Sequence, residues 1–340
     1  MKKLAVLVDN ELELDFDQIF GAAIASGVQI DHIPLHHTQD PRAVIAAAKG
    51  YDYVVAGREP WDFETLVGCA DNLKLILRFG AGYDTVDLES ATHMGIAVAN
   101  APGANAKAVA EHTLALMMAV LRKVTHYDRE LRQGGIAASM SQTLEGTVAI
   151  LGFGNIGQEL ARLLSVFPVK VIAYDAYPNL ARAAQLGVEM VSADEALARA
   201  DIISLHLPAC VEMLDFVRKE NLAKMKDGVY IINTSRGAVV NEHDLAEALR
   251  SGKVAGAGLD TFKVEPFDQN SELKQISNVV LTPHSAAVST QGVRGVFESC
   301  ASTLEHFLKN EKAPAILNPT YWYFRNEQIH DLVQDTAVCQ

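Results

Sequence analysis

Thr147–Leu164 reads TVAILGFGNIGQELARLL: an apolar run that ends in Gly152, Gly154 and Gly157, with a helical periodicity opening directly behind them. Strand, GxGxxG and helix in that order form the dinucleotide-binding fingerprint. Each glycine has a physical task. Gly152 permits a tight turn, Gly154 lets the backbone approach a pyrophosphate, and Gly157 lets helix and sheet pack closely. The pyrophosphate then lies on free N–H groups where Asn155 and Ile156 start the helix, at its positive end. The next apolar run, VKVIAYD, ends on Asp175, about 20 residues on as the fingerprint requires. A carboxylate there accepts hydrogen bonds from ribose hydroxyls and repels a 2′-phosphate, so the expected cofactor is NAD rather than NADP.

The rhythm of apolar runs alternating with amphipathic stretches extends in both directions from this segment. Strands are expected near LAVLV, VQIDHI, YDYVVA, LKLIL and IAVAN in the first hundred residues. A second series runs from TVAILG through VKVIAYD, VEMV, DIISLHL, GVYIINTS and VAGAGLD to NVVLTP. Such alternation indicates βα units and parallel sheets. Between the series, Asn105 is placed to cap a long helix that is apolar from Val109 to Leu121. After NVVLTPHSAA a further helical stretch is expected to return to the first domain. The expected fold is therefore α/β, with two doubly wound parallel-sheet domains and a cleft between them: residues 1–101 with 288–340 bind substrate, and residues 102–287 form the Rossmann NAD-binding domain.

Composition narrows the partners. A formal charge of −13 disfavours nucleic acid or an anionic membrane surface, either of which needs clustered Lys and Arg. No apolar run approaches the ~20 residues that cross a bilayer, and the apolar run Leu4–Val8 is short for a signal peptide. The four cysteines, Cys69, Cys210, Cys300 and Cys339, are scattered without metal-ligand spacing. The expectation is a cytoplasmic protein with reduced thiols and no metal site.

A nicotinamide enzyme acting on an alcohol or ketone needs a proton shuttle and a substrate clamp. His284 in LTPHSAA, Arg236 in INTSRGAVVN, and Asp260 and Glu265 in GAGLDTFKVEP all follow strand ends, on the edge where open α/β sheets bind ligands.

With those residues in place the chain resembles the NAD-dependent D-isomer-specific 2-hydroxyacid dehydrogenases, from about residue 50 to Asn318. RFGAGYDTVDL, PGANAKAVAEHTLAL, GFGNIG, SLHLP, INTSRGAVVNEHDLAEAL, GAGLDTFKVEP and LTPH carry the resemblance. It implies reversible hydride transfer between NADH and a small 2-ketoacid, giving a D-2-hydroxyacid. It implies that His284 protonates the keto oxygen, that Glu265 orients the imidazole, and that Arg236 grips the substrate carboxylate. It also implies that Arg78 and the loop Gly80, Ala81 and Gly82 meet the substrate. His206, Pro208, Thr234, Ser235, Arg236, Asp260, His284 and Ala286 would line the cofactor, with Asp260 anchoring the nicotinamide amide. A homodimer is the family expectation.

Departures from the family pattern are Cys210 and Met213 where two threonines are usual, Thr85 for Asn, and Ala287 for Gly. Two other functions fit the same motifs. One is 3-phosphoglycerate oxidation, with Arg58 as a candidate phosphate contact. The other, of a different class, is an NAD-sensing corepressor. In the tail, the aromatic run Tyr321, Trp322, Tyr323 and Phe324 is expected to pack on the first domain or on a partner subunit.

Overall fold

The computed structural model describes residues 1–9, 14–36, 38–135, 139–313 and 315–325. Cys339 and the rest of 326–340 lie outside the described residues. Contacts divide the chain into two compact units, Met1–Asn105 with Thr290 onward, and Ala106–Ser289.

The first unit holds five strands: β1 (Lys2–Val8), β2 (Val28–Leu35), β3 (Tyr53–Ala56), β4 (Leu75–Arg78) and β5 (Ala97–Ala99). They pair in parallel in the order β2-β1-β3-β4-β5, the flavodoxin-like order whose ligand edge lies between β1 and β3. β1, β3, β4 and β5 are buried on both faces, which is why they read as apolar runs, whereas the edge strand β2 (VQIDHIPL) interleaves polar residues and is mostly only half-buried. Successive side chains point to opposite faces: Leu4, Val6 and Val8 join one core layer with Tyr53, Val55 and Phe297. Ala5 and Leu7 join the other with Val54, Ile76 and Leu66.

The second unit holds β6 (Gly146–Leu151), β7 (Val169–Tyr174), β8 (Glu189–Met190), β9 (Ile202–Leu205), β10 (Val229–Asn233), β11 (Val254–Leu259) and β12 (Val279–Leu281). The order β12-β11-β10-β9-β6-β7-β8 is again wholly parallel. The strand sequence reverses between β6 and β9, so the loop after β6 opens at the switch point where dinucleotides bind. Every strand expected from the apolar runs is present. The helix Ala106–Leu121 begins directly after Asn105 and buries Val109, Ala110, Thr113, Leu116 and Met117.

The helix Thr290–Leu308 packs Val293, Phe297 and Leu304 against the first sheet. Beyond it, Ile316 bridges Ala99, Leu317 N–H donates to the Val98 carbonyl at 2.8 Å, and Asn318 lies buried. Asn318 Oδ1 accepts from Val98 N–H at 2.8 Å, and Nδ2 donates to the Ile96 carbonyl at 2.9 Å and to Thr92 Oγ1 at 3.0 Å. Of the aromatic run, Tyr321 stacks on Phe307 and Phe324 meets His93 edge-on, whereas Trp322 and Tyr323 are exposed. Asn318→Ala strands a buried N–H and a buried C=O together. It is expected to lower the unfolding free energy by about 2–3 kcal/mol in urea titrations followed by circular dichroism.

Candidate active site

The loop after β6 meets the requirements of a pyrophosphate cradle. Gly152 sits at φ +98°, and a Cβ there would lie 2.3 Å from the His206 carbonyl oxygen. A Cβ on Gly157 would lie 2.3 Å from the Gly152 oxygen. Gly154 caps the helix Asn155–Leu164 without any side-chain hydrogen bond, and nothing stands within 4 Å of where its Cβ would be. The first-turn N–H groups thus face open space at the positive end of a helix.

Asp175, just past β7, leans over this turn. Its Oδ2 accepts from Phe153 N–H at 2.6 Å and its Oδ1 from Tyr177 N–H at 2.8 Å, so the carboxylate is fixed beside the glycines. Each oxygen keeps a lone pair for a ribose hydroxyl. His206 closes the far wall: Nε2 meets Ser204 Oγ at 2.9 Å, while Nδ1 is buried without a partner. Desolvation pushes this imidazole down to about 4, so the ring is neutral at physiological pH. These residues fit a dinucleotide.

The second cluster lies at the carboxyl ends of β10, β11 and β12. His284 Nδ1 donates to Glu265 Oε2 at 2.7 Å, and Glu265 Oε1 accepts from Phe262 N–H at 3.1 Å. The carboxylate is therefore held by the backbone and in turn fixes the ring and its tautomer. The imidazole and carboxylate are 28% and 27% exposed, open enough to exchange protons with a ligand. Nε2 has no partner among the described residues.

His284 adopts φ +53°, a left-handed conformation that side chains rarely take. Asp260 holds it there. This wholly buried carboxylate accepts from Thr282 Oγ1 at 2.6 Å and from the N–H groups of Ser285 and Ala286, each at 2.9 Å. Its backbone carbonyl takes His284 N–H at 2.7 Å. His112, on the long helix, adds Nε2 at 3.1 Å from Thr282 Oγ1 and 3.6 Å from Asp260 Oδ1.

Arg236 follows β10 and donates Nη1 to the Ser235 carbonyl at 2.9 Å. Its loop is built on Asn233, whose Oδ1 accepts from Ser235 N–H and Oγ and whose Nδ2 donates to the Arg236 carbonyl. Thr234 Oγ1 meets Thr113 Oγ1 at 2.8 Å. A Cβ on Gly237 would lie 1.9 Å from the Phe262 carbonyl carbon, so the Arg236 loop rests directly on the backbone that holds Glu265. Pro208 and Cys210 are exposed, and Ala286 is buried.

In the first unit, Arg78 ends β4 almost wholly buried and donates Nη1 to the carbonyls of Ala56 and Phe79. The Gly80 and Ala81 carbonyls accept from Ala101 N–H and Asn100 Nδ2. That orientation leaves the N–H groups of Gly80, Ala81 and Gly82 without an acceptor among the described residues. Among the described residues no group of His, Cys, Asp and Glu is arranged to hold a metal, and no helix is long and apolar enough to cross a membrane.

Residues 114–286 match the family profile described as D-isomer specific 2-hydroxyacid dehydrogenase, NAD binding domain. The chain belongs to this family. Its cofactor is NAD. A D-3-phosphoglycerate dehydrogenase of Mycobacterium leprae is 42% identical over 256 residues, which is 74% of this chain and 48% of that protein. The chain thus spans about half the length of that relative. A glyoxylate reductase of Thermococcus litoralis is 38% identical over 73% of this chain and 78% of its own length. Among solved structures, an NAD-dependent formate dehydrogenase of Staphylococcus aureus in complex with NAD superposes with a TM-score of 0.78 at 26% identity, covering 92% of this chain and 96% of that one.

Asp260, His112 and Thr282 form the part of this cluster that the motifs understate. Burial opposes ionisation of Asp260, but hydrogen bonds from His112, Thr282 and the Ser285 and Ala286 N–H groups outweigh it and hold the carboxyl below its ordinary range. A folded pKa below the unfolded one stabilises the fold fully above about pH 4, and the contribution is lost as pH falls through the depressed folded value. Asp260→Asn is therefore expected to cost about 2–3 kcal/mol at neutral pH, with the deficit shrinking in acid. Urea unfolding of both proteins across that range measures it.

Proposed function

We propose that the protein reversibly transfers hydride between NADH and a small 2-ketoacid, giving the D-2-hydroxyacid. The observation that carries this reading is the backbone-anchored pair Glu265 and His284 beside Arg236, in the same unit as the NAD cradle. NAD, when bound, supplies or accepts the hydride. Gly152, Gly154, Asn155, Ile156 and Gly157 hold its pyrophosphate and Asp175 its adenosine ribose. His206, Pro208, Thr234, Ser235, Asp260 and Ala286 are the further candidates for lining it.

His284 gives a proton to the 2-keto oxygen during reduction and takes it back during oxidation, through Nε2. An imidazole can both give and take a proton, which suits a reversible step. Glu265 fixes the ring through Nδ1 and keeps Nε2 aimed. Arg236 offers a planar fork of donors to the substrate carboxylate and the ketone. In the first unit, the N–H groups of Gly80, Ala81 and Gly82, with Arg78, are the candidates for a substrate contact.

A second reading, oxidation of 3-phosphoglycerate, is favoured by the 42% identity to the mycobacterial relative. A panel of 2-ketoacids with NADH, followed by absorbance, separates the two and also tests for catalysis at all. NADH binding without turnover of any member would point instead to a cofactor-sensing role. His284→Ala and Arg236→Ala are each expected to lower kcat/KM by about 10²–10⁴-fold with the circular dichroism spectrum unchanged. Near-native rates in either would remove the assignment. Asp175→Ala is expected to narrow the preference for NADH over NADPH, read as the ratio of kcat/KM for the two.

A further inference from the structure

Two neighbouring residues of the helix Ala106–Leu121 reach the two loops that carry His284 and Arg236, and the proposed reaction gives neither of them a role. The helix lies hard against β11. A Cβ on Gly256 would stand 2.7 Å from Val120 Cγ1, and one on Gly258 would stand 3.1 Å from Leu116 Cβ. Glycine at both positions lets helix and strand meet at a distance that larger residues would not allow, so the helix is a fixed platform for what projects from it.

The direction of each hydrogen bond from this platform follows from its partners. Asp260 is a buried carboxylate held in its ionised form, and a carboxylate only accepts. The Thr282 hydroxyl therefore gives its proton to Asp260 Oδ1, at 2.6 Å. Its oxygen is left to accept, so His112 Nε2, at 3.1 Å, carries a proton and donates it. The same nitrogen lies 3.6 Å from Asp260 Oδ1. Thr113 Oγ1 donates to the Val109 carbonyl at 2.7 Å and hence accepts from the Thr234 hydroxyl at 2.8 Å, two residues before Arg236.

The His112 chain ends on the reactive ring. Asp260 Oδ1, fixed by Thr282, also takes Ser285 N–H, Oδ2 takes Ala286 N–H, and the Asp260 carbonyl takes His284 N–H. These bonds bracket the one residue of the turn at φ +53°, whose ring Glu265 then meets. Loss of the His112 donor frees the Thr282 hydroxyl to turn from Asp260, and the bracket on His284 loosens.

Resting on the reading of the chain as a 2-ketoacid reductase, we infer that His112 is a positioning residue for the proton transfer: acting through Thr282 and Asp260, it holds His284 in the left-handed turn that aims its ring.

The test uses the full chain with NADH and the best 2-ketoacid of the panel. His112 is 25% exposed, so replacing it leaves no closed cavity. His112→Phe removes the donor and is expected to lower kcat by about 10–100-fold, as a misplaced proton donor does, with KM for NADH little changed. It is also expected to enlarge the solvent deuterium isotope effect on kcat, which a mere loss of folded enzyme would leave as it was. His112→Gln, whose Nε2 stands the same number of bonds from Cβ, is expected to recover most of the rate. Thr282→Val, which removes the other half of the bond, is expected to behave as His112→Phe does and carries the test where that variant does not fold. In the double variant the losses are expected to be less than additive. A folded His112→Phe with native kcat, an unchanged isotope effect, no recovery in His112→Gln, or additive losses overturns the inference. Absence of turnover on every 2-ketoacid overturns the reductase reading instead. The positioning role is then judged by nuclear magnetic resonance of the His284 ring nitrogens with NAD present: signals that move in His112→Phe but not in His112→Gln support it, and signals unmoved in His112→Phe overturn it.

Discussion

The second unit's reactive edge depends on one buried carboxylate. Asp260 accepts from Thr282 Oγ1 and from the Ser285 and Ala286 N–H groups while its own carbonyl takes His284 N–H. Those bonds hold a histidine in a left-handed conformation that costs of order 1–3 kcal/mol by itself. The strain is tolerated because the surrounding loop over-determines it. The same left-handed turn directs the imidazole at Glu265, so a wholly buried carboxylate sets the geometry of the histidine that is open to a ligand.

The glycine turn of the NAD cradle follows the same logic with steric rather than electrostatic means. Gly152 and Gly157 each stand where a Cβ would strike a carbonyl oxygen at 2.3 Å, and Gly154 stands where open space is needed. Two of the three glycines are demanded by packing within the protein, the third by the ligand. The nearby carboxylate of Asp175 is fixed by backbone N–H groups before any ribose arrives, which lowers the ordering cost of binding.

Much of this was legible in the amino-acid sequence, and for identifiable reasons. Central strands buried on both faces of a parallel sheet read as apolar runs, and among the described residues the strands expected from the sequence are present, the short, less buried edge strands β8 and β12 being found from the alternation of strand and helix patterns around them. Glycines needed for close approach and the carboxylate ending the next strand are local signals. What stayed hidden depends on contacts distant in sequence. His112 meets Thr282 across 170 residues of sequence, so no local pattern pairs them. That Arg78 sits buried on the carbonyls of Ala56 and Phe79 was likewise not legible from its place at a strand end.

The contact between Gly237 and Phe262 has a bearing on how such a site changes over time. With no room for even a methyl group, the Arg236 loop and the Glu265 loop press backbone on backbone. A shift in one is passed through the Phe262 amide to the Glu265 carboxylate and on to the histidine ring. The two loops therefore vary as one part. Remodelling for a new ligand is easier where side chains alone meet than at this seam, where any substitution disturbs the His284–Glu265 geometry along with the shape.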